Sequence, residues 1–389
     1  MSAVTSAPSL PGSVVRAPLV TVSDAVATFQ PVRGRFFCWL LRLLPWLMLV
    51  VPVAVLTGRL TVSGAPMFLS GWVIAAAALL AFDVLMWRIP WTLGALWNRS
   101  LIAGTSTTPA AAAAPLEGQY AAFIQNIESW LNHPGQCAMG IGFAVLVVTW
   151  YQVRFSPTYT GLLTIAEFGG ECLVGFTIGL MAWRMGVVGW KVWQLGRCFD
   201  VTPLLQHPDG CGGLEPLGQL CLSNALIVSM AGLFLGGWIV VGPVTPYHAL
   251  AAAYAPLFTK LLIIPLAFAG ISFFWPLWSV HEIMVAKRAL VRQRLDALGN
   301  SINDVARELL ACAGDTDPAR AADLAKRLDL MQQTYASEQR VPVWPFNTSI
   351  LTKLLTAQAV PLLGLTGIGE PVLKEIQALV GLLGQVQQP

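Results

Sequence analysis

One stretch of the chain gathers groups that can do chemistry: Gln206-His207-Pro208-Asp209-Gly210-Cys211-Gly212-Gly213-Leu214. It holds an imidazole, a carboxylate and a thiol among three glycines. Glycine tolerates positive φ and lets another backbone approach closely. Successive amides in such a turn can form a concavity for an anion. The ligand or anion-binding candidates are therefore His207, Asp209, Gly210, Gly212 and Gly213, facing an anion, a lipid headgroup or a metal at a membrane surface. The competing reading is a sharp turn whose angle is set by Pro and Gly, with Asp209 as its cap.

Part of the pattern recurs. His133-Pro134-Gly135-Gln136-Cys137 and His207-Pro208-Asp209-Gly210-Cys211 are both His-Pro-x-x-Cys. Two His and two Cys form a tetrahedral zinc set, so His133, Cys137, His207 and Cys211 are candidate metal ligands. Their internal spacing is unlike the usual close ligand pairs, and an internal repeat or simple helix punctuation explains it as well. His-Pro-Asp is also the J-domain tripeptide, but here it lies between apolar segments without the flanking soluble helices, so that resemblance is set aside. A cysteine nucleophile beside His207 is conceivable, yet there is no Walker A, no G-x-S-x-G and no H-E-x-x-H. The sequence implies no enzyme and no cofactor.

Two charges sit inside apolar runs. Arg42 and Asp83 each lie near the same end of their segments, and a charge in a bilayer centre costs at least ~2.5–3.5 kcal/mol. They are expected to pair or to share a polar cavity; Arg42 snorkelling to the headgroups is the alternative. Ser223, Asn224 and Ser229 are the polar residues of a further apolar run and are candidate pore-lining groups.

The elements that must position these residues follow from composition. Charged residues make up 11% of the chain, against roughly 25% in soluble domains. Apolar segments occupy 36–58, 68–91, 137–153, 171–193, 218–241 and 257–279. A helix needs roughly 20 apolar residues to cross a bilayer; the third segment is borderline, and its Gly140 and Gly142 suggest close packing. With the N-terminus cytoplasmic, only Arg59, Arg154 and Lys260 fall on the outer side. The Lys/Arg asymmetry thus favours N-in, C-in in a bacterial inner membrane. Most of the seven cysteines fall on the cytoplasmic half, where a disulfide framework is not expected.

The expected fold is an all-α polytopic membrane protein. It has a disordered cytoplasmic N-terminus at 1–32, six transmembrane helices at 33–279 and a cytoplasmic helical domain at 280–389. Tyr120, Phe123, Ile124, Ile127 and Leu131 lie on one helical face, which predicts an amphipathic cytoplasmic helix over 117–131. Gly175 with Gly179, and Gly232 with Gly236, permit close helix contact, more readily within the chain than at a dimer seam. Pro265 and Pro276 predict a kinked last span. Val291, Leu295, Leu298, Ile302, Val305 and Leu309 form a heptad seam continuous with that span. A turn with Asp317 as cap and Pro318 at the first helical position leads to a second seam: Ala321, Leu324, Leu328, Met331 and Tyr335. Two seams make an antiparallel hairpin. Two short helices follow, the first from Asn347 to about Val360, expected to dock on the cytoplasmic bundle or lie at the interface rather than cross. Tryptophans near span ends read as interfacial anchors.

The function expected from these features is an oligomeric channel or pore-like transport protein, gated or regulated through its cytoplasmic helical domain. The alternatives are a membrane scaffold or sensor whose tail docks a partner, and a small-solute transporter. The expected partners are the lipid bilayer, further copies of the chain, and a cytoplasmic protein at 280–340; a net charge of +3 that follows topology gives no reason to expect nucleic acid.

Overall fold

The structure is a computed structural model that describes residues 20–31, 65–105, 115–155, 162–204, 207–245, 247–312, 318–338 and 342–366. It is nearly all-α, with five helices long and apolar enough to cross a membrane, or six if one bent pair is a single span. Those five carry the second to sixth apolar segments. The first, 36–58, lies outside the described residues, and Arg42 with it.

The N-terminal stretch is not without structure. Helix α1 (Val22–Ala27) starts at Thr21, whose hydroxyl accepts from the Asp24 amide at 3.1 Å. Val22, Ala25 and Phe29 are buried. The disordered reading of 1–32 fails for this part, because these apolar residues meet an apolar face of α3 (Leu116–Leu131). That face is the predicted one: Tyr120, Phe123, Ile124, Ile127 and Leu131 are all buried.

Helix α2 (Ala65–Asn98) is the first described helix long and apolar enough to cross a membrane. Helices α4 (Gly135–Phe155) and α5 (Leu162–Cys198) form a pair set by small residues. A Cβ added at Gly175 would stand 2.7 Å from Ala144 Cα, and one at Gly179 would stand 2.5 Å from the Met139 carbonyl oxygen. The small-residue spacing therefore serves packing inside the chain, where backbones approach in the absence of a hydrophobic drive. A two-stranded ribbon departs from the all-α expectation: β1 (Ile102–Thr105) pairs antiparallel with β2 (Phe199–Val201), tying the end of α2 to the end of α5.

Helix α6 (Glu215–Val241) precedes α7 (His248–Cys312), an unbroken helix of 65 residues that contains Pro256, Pro265 and Pro276. At 1.5 Å per residue α7 is about 97 Å long, roughly three times the ~30 Å bilayer core, so much of it must stand outside. Its outer part packs against α8 (Pro318–Glu338). Arg320 and Glu308 pair at 2.9 Å near one end of the hairpin, and Gly299 faces Tyr335 near the other, so the arms run antiparallel. Every residue of both predicted seams is buried or half-buried, and their neighbours are exposed apart from the half-buried Gly299 and Ala306.

The chain then returns to the bundle. Helices α9 (Thr348–Ala357) and α10 (Ala359–Thr366) meet at a bend of 46°. They run alongside α6 rather than beneath it. Gly218 lies against the Pro345 carbonyl, Gly232 against Pro361, and Gly236 against Pro361 and Gly364. From Gly218 to Gly236 the rise is about 27 Å, close to the thickness of a bilayer core. Of the two expectations for this segment, docking on the bundle is the one these contacts match. Neither helix alone is long enough to span, but together they follow an apolar helix along most of its length.

Candidate functional site

The loop between α5 and α6 is built around Asp209. Its Oδ1 accepts the amides of Cys211 at 2.9 Å and Gly213 at 3.0 Å, and its Oδ2 takes the Glu215 amide at 3.4 Å. His207 Nδ1 lies 3.0 Å from Oδ1, and an Arg99 guanidinium nitrogen lies 3.6 Å from Oδ2. Arg99 also donates to the Gly213 carbonyl at 2.6 Å. Only 5% of the Asp209 side chain is exposed. Gly210, Gly212 and Gly213 have φ of +65°, +69° and +86°, the left-handed region in which residues with side chains are strained. These turns aim the amides at one point.

That point is occupied by the chain itself. The amides expected to receive an external anion take the carboxylate of Asp209. Burial pushes the Asp209 carboxyl up, but the amides of Gly213, Cys211 and Glu215 and the His207 side chain together bring it below its ordinary value. A carboxylate so engaged is a closed clamp that caps α6 near its start and holds the α2 terminus through Arg99. It offers no open ligand position.

Cys211 is fully buried, and its thiol is pushed up to about 12, first by burial and then by Asp209 and Glu215. A thiol that stays protonated is not a nucleophile at neutral pH. The metal set is not assembled either. Among the described residues no three His, Cys, Asp or Glu side chains are placed to hold a metal ion. His133 instead stacks on Trp130 and Trp183, and its Nδ1 accepts the Gly135 amide at 3.1 Å, while Cys137 is exposed.

The pore-lining candidates point to three different neighbours. Ser223 accepts from Arg88 at 2.9 Å and donates to the Gln219 carbonyl at 2.9 Å. Asn224 is buried and directs its amide toward the Met185 carbonyl of α5. Ser229 donates to the Ala225 carbonyl at 2.8 Å and accepts from Gln358. Within one chain each is taken up by a helix contact. Asp83 lies on an exposed face of α2 with Val84 and Trp87, and its expected partner Arg42 is outside the described residues.

Three arrangements escaped the sequence. Lys191 is buried on α5, donates to Asn126 and Gln194, and stands 4.8 Å over the Trp190 ring. His281 of α7 stacks on Trp344 with ring centres 3.8 Å apart, and its Nδ1 lies 2.6 Å from the Val343 carbonyl. Gln358 reaches Ser229 inside the bundle. Only the last had a sequence signal, Lys353 and Gln358 in an otherwise apolar stretch, and that signal did not name the partner. In comparisons with known families, characterised proteins and solved structures, the chain matches none.

Proposed function

We propose that the protein is a membrane-embedded coupling subunit: a scaffold or sensor whose helical hairpin docks a partner and passes the load into the bundle. The carrying observation is that one unbroken helix, α7, serves both parts. In its membrane part, Pro276 packs on Gly189 of α5, and Pro265 stands 3.8 Å from a Cβ position at Gly232 of α6. In its outer part it is one arm of the hairpin. A displacement of the hairpin has no flexible joint in α7 at which to be absorbed. The second arm feeds back too, since the chain after α8 is fastened to α7 by Trp344 on His281 and then enters the groove along α6. The Lys/Arg asymmetry supports placing the hairpin on the cytoplasmic side of a bacterial inner membrane.

The polar contacts inside the chain bear on the channel reading. Ser223, Asn224 and Ser229 are engaged within one bundle, so conduction in an oligomer would run between subunits. Exposed apolar residues on α2 and α4, among them Leu80, Val84, Ile141 and Val145, leave faces for lipid or for further copies.

Spin labels test the coupling. Trp278 and Leu310 are both exposed on α7. With cysteines at those two positions, in a background lacking the other cysteines, the distance should be narrow and near 48 Å, the rise of 32 residues. A broad or much shorter distribution would remove the rigid link and the proposal with it. Planar-bilayer recording addresses the channel reading, which ends if no conductance is seen across ions and voltages.

A further inference from the structure

We propose that α9 and α10 form one broken transmembrane crossing, so that the chain leaves Thr366 on the membrane face opposite the hairpin. The pair advances steadily along α6. It starts with the Pro345 carbonyl beside Gly218, near the first turn of α6. Gln358 meets Ser229 close to the middle of α6, and Pro361 and Gly364 meet Gly236 near its end. A helix long and apolar enough to cross the membrane therefore has a partner running parallel to it over most of its length. Aromatic rings mark the two ends, as they do at membrane boundaries. Trp344 stacks on His281 and meets Trp278 edge-on where the pair begins. Trp238, just beyond Gly236, donates to the Ser70 hydroxyl at 2.9 Å where the pair ends.

The side chains suit a hydrocarbon surrounding. The outward face of the pair carries Leu355, Leu362 and Leu365. Thr352, Thr356 and Thr366 are exposed as well, and each hydroxyl donates to a carbonyl of its own helix, at 2.9, 2.8 and 3.1 Å. A hydroxyl bonded back in this way can face lipid without stranding a donor. The break is satisfied too. The Gln358 N–H reaches the carbonyls of Leu354 and Leu355, its carbonyl accepts the Leu362 amide at 2.9 Å, and its side chain donates to Ser229. Pro361 accounts for the bend, because it has no N–H for the carbonyl four residues earlier and its ring crowds that oxygen. Lys353 is the one charged residue from Thr348 to Thr366. It lies in the second turn of α9, from which its long stem can carry the ammonium back to the headgroups. Residues 367–389 include Glu370, Lys374 and Glu375 and hold no run of the roughly 20 apolar residues that a second crossing needs. The residues after Thr366 therefore stay on the far face, against the N-in, C-in expectation. This placement goes beyond the coupling reading and is independent of what the hairpin docks.

Thiol labelling from each side tests the crossing. The full-length chain is made without its own cysteines and with one new cysteine, at Leu310 in the hairpin, at Leu355 in the pair or at Gln387 after it. Variants that elute in detergent as the parent does are compared. Right-side-out and inside-out membrane vesicles are treated with a membrane-impermeant maleimide. Leu310→Cys should react in one kind of vesicle and Gln387→Cys in the other. Leu355→Cys should react about tenfold more slowly than either, in both kinds, because a thiol in hydrocarbon does not form the thiolate. Reaction of Leu310→Cys and Gln387→Cys in the same kind of vesicle would overturn the crossing and make the pair a re-entrant or surface segment. Rapid reaction of Leu355→Cys from either side would overturn it as well. A flexible α7 in the spin-label experiment would leave the sidedness of these labels unchanged, so the two proposals fail separately.

Discussion

The Gln358 side-chain amide donates to the Ser229 hydroxyl, joining two buried residues 129 positions apart in the chain. The two partners are not equally dependent on one another. Ser229 already donates to the Ala225 carbonyl at 2.8 Å, whereas the buried Gln358 amide has Ser229 as its acceptor. Ser229→Ala should therefore cost about 1–3 kcal/mol, the penalty for stranding a buried donor. Gln358→Leu should cost much less, and adding it to Ser229→Ala should restore stability. Thermal unfolding of the four proteins in detergent gives the cycle; equal losses in both single variants would contradict the asymmetry.

Gly236 controls whether the returning segment docks at all. A Cβ there would stand 2.9 Å from Pro361 Cα and 3.0 Å from the Val360 carbonyl oxygen, both backbone atoms that cannot turn aside. Gly236→Leu should displace α9 and α10 from α6. A cysteine at the buried Ile350 should then become reactive to a maleimide, at least tenfold faster than with Gly236 intact. An unchanged rate would mean that the segment does not depend on this contact.

Asp209 gives a pH dependence of known sign. Its carboxyl is lowered on folding, so the stabilisation is fully present above the ordinary carboxylate range. It is lost as the pH falls through the lowered folded-state value. Asp209→Asn should cost on the order of 2–3 kcal/mol at pH 7, since hydrogen bonds to a charged acceptor are lost. The gap between variant and parent should close in acid. A gap that is constant from pH 7 to pH 3 would mean that the charge of Asp209 does not hold the loop.

The same loop shields a thiol. In single-cysteine backgrounds at pH 8, Cys137 is exposed and should alkylate readily, while Cys211 is fully buried with its thiol pushed up to about 12 and should resist. Asp209→Asn should open the loop and let Cys211 react. Rapid labelling of Cys211 in the parent protein would refute the closed clamp.

The hairpin should fail separately from the bundle. Leu324 is buried between α7 and α8. Leu324→Asp should cost about 2 kcal/mol or more locally, releasing α8 to protease while leaving the membrane part's melting unchanged. A matching fall in the bundle would show that the two parts do not separate.

Much of this architecture is legible in the amino-acid sequence because periodicity reports local geometry. The structure buries the apolar face of α3 and buries or half-buries the residues of the two heptad seams. Gly175 and Gly179 mark a real seam between α4 and α5. What periodicity cannot supply is pairing between distant segments. Gly232 and Gly236 announce a close neighbour without naming it, and the neighbour proves to be Pro361 and Gly364. That segment reads as one helix of less than spanning length from Asn347 to about Val360, whereas the structure divides it at Gln358 into helices of ten and eight residues. The His207–Gly213 loop looks open for the same reason. Its glycines and amides are visible in the sequence, whereas the carboxylate that fills them could have pointed elsewhere.

The docking of α9 and α10 on α6 also sets an order of assembly. Chains emerge from the ribosome N-terminal end first, so α6 is made before α7, α8 and the segment that covers it. Until then its Gly232–Gly236 surface faces lipid or a chaperone. The back-bond from Ser229 to Ala225 makes that wait inexpensive, because the hydroxyl is satisfied before its partner exists. Gln358 is the group that must find an acceptor on arrival. Maturation of the bundle is thus completed from its C-terminal side, and a stall in synthesis after α8 leaves a hairpin on display above an unfilled groove.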